Sequence, residues 1–209
     1  PGRDSSAVTI VEVDRDWMVQ SLFKRPRYKV VCRYLWTGLR QAALLAKLSD
    51  LIETWQPRQV VVDGSGVAAG LASFLRDRYG SRVQSLVFNQ ALKSKLGWGF
   101  LSIIDTGRFQ DLRVEAGDAF SLQQGKLQAM FEAQMKACAY QVSISPEKTL
   151  HWGVPEGAKD SQTGEALHDD LLISAAMTAV LEDLDWAGTA EPLLLNPADP
   201  IREMEAAYL

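Results

Sequence analysis

The run Val60-Val61-Val62-Asp63-Gly64-Ser65-Gly66 constrains this chain more than any other stretch. Three consecutive β-branched apolar residues leave a strand no polar face. The strand predicted over 59–62 is therefore buried on both sides, as in a parallel or mixed sheet covered by helices. The glycine turn feeds a segment in which Val67, Leu71, Phe74, Leu75 and Tyr79 recur at helical spacing, ending near Gly80. Residues 83–88 read as the next strand. Strand, helix and strand in this order predict a βαβ crossover and an α/β fold.

The rest of the chain fits around that unit. Alternating β-branched residues predict strands over 7–14 and 28–36, and helical periodicity predicts a helix over 41–55, closed by Pro57. Further helices are expected over 96–108 and 120–139. A hairpin is expected from 141–145 and 150–154, followed by a polar, glycine-containing loop over 155–166 and a last helix over 167–186. Residues 187–209 contain three prolines and no long periodic face, so they read as a tail. The expected organisation is one domain over 1–186 with a tail over 187–209.

Composition excludes several classes. Only two cysteines occur, Cys32 and Cys138, with no CxxC pair, which argues against a zinc site or a disulfide framework and for a reducing compartment. No apolar run reaches the roughly 18 residues of a membrane span, and no signal segment opens the chain. The sequence starts at Pro1 without a methionine, which reads as a segment of a longer protein. The formal net charge of −4 is unfavourable for a nucleic-acid binder, but its distribution is uneven. Seven acids against one arginine lie from Glu182 onward, and residues 1–181 are slightly basic. Local patches, not the total, attract phosphate.

Two acidic positions could carry chemistry. Asp63 falls at the carboxyl end of the buried strand, where ligands and catalytic groups gather in open α/β sheets. The alternative is that it supports the turn or caps the next helix. Gly64-x-Gly66-x-x-Ala69 also has the outline of a dinucleotide fingerprint. The next strand, however, ends Phe88-Asn89-Gln90 without the acid that a ribose needs, and Asp63 would repel a pyrophosphate. His168-Asp169-Asp170 opens an apolar helical segment. Acids there can complement the helix dipole, but paired carboxylates held against a core also need a cation. Asp63, Asp169 and Asp170 together offer hard oxygen ligands for Mg²⁺ or Mn²⁺. Two such ions about 4 Å apart can activate water and stabilise a departing phosphodiester oxygen. His168 is either a proton carrier beside them or a surface histidine.

In these residues the chain resembles the nuclease domain of the large terminase subunit of tailed bacteriophages, of the ribonuclease-H-like superfamily. Three ordered stretches carry the resemblance: residues 60–66; Ser94-Lys95-Leu96-Gly97-Trp98-Gly99-Phe100-Leu101 through Thr106-Gly107-Arg108; and His168-Asp169-Asp170-Leu171-Leu172-Ile173-Ser174-Ala175. The resemblance implies a mixed central sheet flanked by helices on both faces, with an added β-hairpin. It implies a metal-dependent endonuclease cutting concatemeric double-stranded DNA during genome packaging, in the host cell cytoplasm at the motor on the procapsid. The implied partners are DNA, an ATPase domain of the same full-length protein, the portal and the small terminase subunit. No GxxxxGK[ST] occurs here to supply an ATP site. The family also carries an acid on a first strand. If 7–14 is the second strand, that acid lies ahead of Pro1, with Asp4 as the fallback.

Candidate DNA contacts are Lys93, Lys95, Arg76, Arg78 and Arg82, with Lys159 in the 155–166 loop; Lys24, Arg25, Arg27 and Lys29 form a second basic cluster. Each can equally be a solvated face, and Trp98 can be core rather than a stacking platform. The competing functions are a resolvase or ribonuclease H of the same fold, and a non-catalytic module that binds DNA or docks on a portal.

Overall fold

The computed structural model describes residues 5–114, 117–144, 146–161 and 163–186. Within them, strand β1 (Ser5–Asp14) pairs antiparallel with β2 (Arg27–Thr37), and the short helix α1 (Asp16–Gln20) lies in the connection. The register slips between Ile10 and Val11, so Val31 has no opposite residue and β2 bulges. Helix α2 (Gln41–Trp55) matches its expected span residue for residue.

The predicted crossover is present: β3 (Val60–Asp63), α3 (Ala68–Tyr79) and β4 (Val83–Leu86), with the two strands parallel. Val60 and Val62 pack with Ile52, Leu71 and Leu75 of α2 and α3. Val61 packs on the opposite side, beside Ile103, Leu181 and Leu96. The apolar run therefore serves two cores at once, which is why it has no polar alternate.

Helix α4 (Gln90–Asp105) starts six residues before the expected span of 96–108. The Asn89 side chain accepts a hydrogen bond from the Leu92 backbone N–H at 2.8 Å, an N-cap that nucleates the helix directly after β4. A two-residue strand β5 (Phe109–Gln110) follows and pairs parallel with Tyr28 and Lys29 of β2. Farther along β2, the Gln124 side chain from α5 (Ala119–Ala137) takes the place of a neighbouring strand. It accepts from Arg33 N–H at 2.8 Å and donates to Arg33 C=O at 2.9 Å.

Strands β6 (Ala139–Val142) and β7 (Leu150–Gly153) form the expected hairpin, shifted two residues early on its first arm. The last helix is a correction. Its α-helical part is only α6 (Asp170–Ala176), and Met177–Asp183 tightens into a 3₁₀ turn. The Thr178 hydroxyl donates to the Ala175 carbonyl at 2.7 Å, taking the acceptor that the next α-helical rung would use. Phe100, Leu127, Phe131, Leu171, Leu172, Ala175 and Ala176 form the core where α4, α5 and α6 meet.

Among the described residues the hydrogen-bonded ladders are β1-β2-β5, β3-β4 and β6-β7. Between the first two lies a cleft of about 1290 Å³. It is lined by residues 5–11 of β1 and 60–63 of β3, with α2 and α3 contributing apolar side chains and α6 contributing Asp170, Ile173 and Ser174. Consecutive residues on both strands line it, so strand edges, not strand faces, border the cleft. This is why β3 is half-buried where full burial was expected. Among the described residues no helix is long and apolar enough to cross a membrane. Asp4 and the tail over 187–209 lie outside the described residues.

Candidate metal centre

Asp63 is the last residue of β3 and lines the cleft. Its Oδ1 accepts from Ser65 N–H at 2.8 Å, the Ser65 hydroxyl accepts from Phe88 N–H at 2.7 Å, and Gly64 N–H donates to the Leu86 carbonyl at 2.7 Å. These bonds fasten the turn to the end of β4. A Cβ at position 64 would overlap the Ser85 hydroxyl, so the close approach of the two strand ends requires glycine there. Turn support at Asp63 engages Oδ1 and does not use Oδ2.

Asp169 occupies the N-cap position of α6 yet makes no side-chain cap hydrogen bond. Its carboxylate Oδ2 instead faces the Lys93 ammonium at 3.4 Å. Asp170 is the first residue of the helix, and both acids line the cleft with Asp63 and Lys93. The helix start is held there by α6 packing on β1, where the Thr9 and Ser174 hydroxyls hydrogen-bond at 3.0 Å. The Gln134 side chain also accepts from Leu172 N–H at 2.9 Å.

Lys93, ahead of the helix expected from residue 96, lies in the first turn of α4 and lines the same cleft. The Trp152 indole donates to its carbonyl at 2.7 Å, and its ammonium stands 5.7 Å from the indole ring centre. Next along β7, Gly153 has φ +145°. A Cβ there would lie 2.9 Å from Asp169 Oδ2 and 3.4 Å from Lys93 Nζ. No sequence motif singled out Trp152 or Gly153, since a Trp-Gly pair in a hairpin carries no signature of its own. Burial pushes the nearby Cys138 thiol up from its ordinary pKa, as does the Asp169 charge, against the lowering effects of the Gly153 backbone and Lys93.

The other residues singled out from the sequence do not join this group. His168 is exposed and does not line the cleft, although Asp169 beside it does. Arg76 and Arg78 sit in the last turn of α3, about 15 Å along the axis from the turn at Asp63. Arg78 pairs with Glu53, and Arg82 donates to Gln56 at 3.2 Å. Lys95 pairs with Asp183 at 2.7 Å, and Lys159 is exposed in a turn bridged to Ala166. Of the early basic cluster, Arg27 and Lys29 are tied to Asp14, Arg25 donates to the Glu182 carbonyl and Lys24 to the Val19 carbonyl. The Trp98 indole donates to the Lys148 carbonyl at 3.3 Å, and its ring is half-exposed.

The donor set suits Mg²⁺ or Mn²⁺ in kind: carboxylates lining one cleft, with a cationic head group already against one of them. Among the described residues no three His, Cys, Asp or Glu side chains come close enough to cage an ion by themselves. A full cage is not required, because Mg²⁺ is commonly held by one or two carboxylates with water and substrate phosphates completing its shell.

No protein-family model matches this sequence, and no curated protein does. Solved structures do match. The large terminase nuclease of thermophilic phage G20c with bound cobalt superposes over 85% of this chain and 81% of its own, with 16% identity and a TM-score of 0.52. The magnesium-bound form of that nuclease covers 86% and 84%, at 14% identity and the same TM-score. The fold is that of a phage large-terminase nuclease. At this identity the likeness establishes the terminase-nuclease architecture, mixed α/β with helices on both faces of the strands. It assigns no individual residue.

Proposed function

We propose that this chain is a divalent-metal-dependent endonuclease that cuts double-stranded DNA during phage genome packaging. One observation supports the reading: Asp63 and the Asp169-Asp170 pair, more than a hundred positions apart in sequence, line the same cleft. The shared fold with a nuclease crystallised with cobalt and with magnesium supports it. Asp63, Asp169 and Asp170 would hold Mg²⁺ or Mn²⁺. Two such ions, when bound, supply water activation and charge stabilisation at the departing oxygen. The protein's own part is to fix the acids. The Ser65–Phe88 turn immobilises Asp63, and the packing of α6 on β1 and α5 immobilises the other two.

In this reading residues 1–186 are the nuclease domain. The cleft between β1 and β3 is where a further extended strand, with one more carboxylate, would complete the sheet. Lys93 is the cation best placed to meet a phosphate at the acids. The wider setting proposed is a packaging motor in the host cytoplasm, with an ATPase domain, a portal and a small terminase subunit as partners.

A plasmid nicking assay with Mn²⁺ tests the proposal. It compares this chain, Asp63→Ala, and a form lengthened upstream by roughly twenty residues, room for one strand and its lead-in. Cleavage of linear duplex that disappears with Asp63→Ala supports it. Cleavage confined to branched DNA or RNA–DNA hybrid favours a resolvase or ribonuclease H. DNA binding with neither cleavage nor Mn²⁺ binding at millimolar concentration favours a non-catalytic module.

A further inference from the structure

We propose that Lys93 is a tethered counter-cation that holds Asp169 until a divalent ion takes the carboxylate, and that position 153 is glycine to let the two groups meet. This rests on the metal-dependent reading above and adds how Asp169 is stabilised before an ion binds and how the ion gains it.

The geometry of the pair is the first support. The shorter ion pairs of the chain include Arg27 at 2.6 Å from Asp14 and Lys95 at 2.7 Å from Asp183, whereas Lys29–Glu12 at 3.3 Å is long. Lys93 stands 3.4 Å from Asp169, and each side chain retains about a third of its exposure. That distance exceeds the 2.7–2.9 Å typical of a charge-assisted hydrogen bond. The contact is held loosely on a wetted rim, in a form that a stronger ligand can displace.

The surroundings give the second support. The lysine backbone is fixed by the Trp152 indole, while its ammonium is left near the ring, within swing of a four-carbon stem. Gly153 leaves out a Cβ that would press on the Asp169 carboxylate at 2.9 Å and reach the Lys93 ammonium at 3.4 Å, and does so in a backbone conformation that other residues rarely adopt. Asp169, although placed as an N-cap, makes no cap hydrogen bond. Its side chain is committed to the cleft.

A divalent ion approaching Asp169 meets a carboxylate already screened by one positive charge, and the ammonium must move off as the ion arrives because like charges repel. Once displaced, the ammonium remains on the cleft wall, where a DNA phosphate is the natural new partner.

Mn²⁺ titration of the intact chain without DNA, followed by the electron paramagnetic resonance signal of free Mn²⁺, tests this. Lys93→Met removes the charge and keeps the stem; Lys93→Arg keeps the charge. Lys93→Met is expected to bind Mn²⁺ about 1.4- to 5-fold more tightly, the range that a partly exposed ion pair spans, and Lys93→Arg to stay near the parent. Metal-free duplex binding should weaken in Lys93→Met alone. Unchanged or weaker Mn²⁺ binding by Lys93→Met, with the parent binding normally, overturns the inference and leaves the metal-centre reading standing. If neither the parent nor the variant binds Mn²⁺ at millimolar concentration, both fall. Should Lys93→Met fold poorly, Lys93→Gln is read by thermal shift. A larger Mn²⁺-induced rise in Tm than the parent shows supports the inference, and an equal or smaller rise overturns it.

Discussion

Gly153→Ala isolates the contact on which the centre depends. The backbone at 153 has φ +145°, and forcing a non-glycine residue there costs about 1–3 kcal/mol. The added Cβ would stand 2.9 Å from Asp169 Oδ2, whereas ordinary contact begins at 3.4 Å. The carboxylate must then retreat by about half an ångström and loosen its contact with Lys93, worth at most about 1 kcal/mol at this exposure. The expected total is ~1–4 kcal/mol. For a chain of this size that lowers Tm by about 2–16 °C. Gly157→Ala is the control, because Gly157 has φ +79° and its added Cβ would meet nothing within 4 Å. It should lose only the backbone share. The two variants also separate by Mn²⁺ titration. Gly153→Ala should bind at least about tenfold more weakly, since metal–oxygen distances tolerate only about 0.2 Å, and Gly157→Ala should bind as the parent does. Equal Mn²⁺ affinity in the two variants would refute the placement of Asp169 by Gly153.

Elsewhere in the fold, Gly64→Ala should destabilise by about 1–3 kcal/mol through overpacking. Adding Ser85→Ala should restore most of the loss, because the clash is with the Ser85 hydroxyl while its Cβ stands at an ordinary 3.4 Å; urea unfolding of the single and double variants reads this. Asp14 is held at a pKa of about 2, chiefly by the Arg27 hydrogen bond and with help from Lys29 and the Trp17 N–H, against the opposing effect of burial. A depressed carboxylate pKa stabilises the fold above the unfolded value and is lost as pH falls. Near-surface screening reduces the full shift to about 1 kcal/mol. Asp14→Asn should therefore cost about that much at neutral pH, and its Tm deficit should close between about pH 4 and pH 2.

The parts of the fold legible in the sequence were those whose periodicity has one physical reading. Val60, Val61 and Val62 could only be a strand between two cores, and the apolar spacing of residues 41–55 could only be a helix. What escaped was set by single side chains or by distant contacts. Asn89 starts α4 six residues early through one cap hydrogen bond, which brings Lys93 into its first turn. Thr178 ends the α-helical part of the last helix through one hydroxyl. Gln124 stands in for a strand beside β2 across 91 positions. At the site, Asp63 and Asp169-Asp170 stood out because acids beside apolar runs are unusual. Gly153 and Trp152 did not, because their role exists only once the hairpin lies against α4 and α6. Arg76, Arg78 and Arg82 looked like a phosphate patch by sequence proximity, yet the length of α3 carries them to its far end.

Whether Asp63 and Asp169 share an ion decides between a metal centre and a mere gathering of acids. A double-mutant cycle on Mn²⁺ affinity, with Asp63→Asn, Asp169→Asn and both together, measures it. Shared coordination predicts that each single change weakens binding by at least about tenfold, 1.4 kcal/mol, and that the double variant is little worse than either. Losses that simply multiply, or single variants that bind as the parent does, would contradict a common centre at the end of β3 and the start of α6.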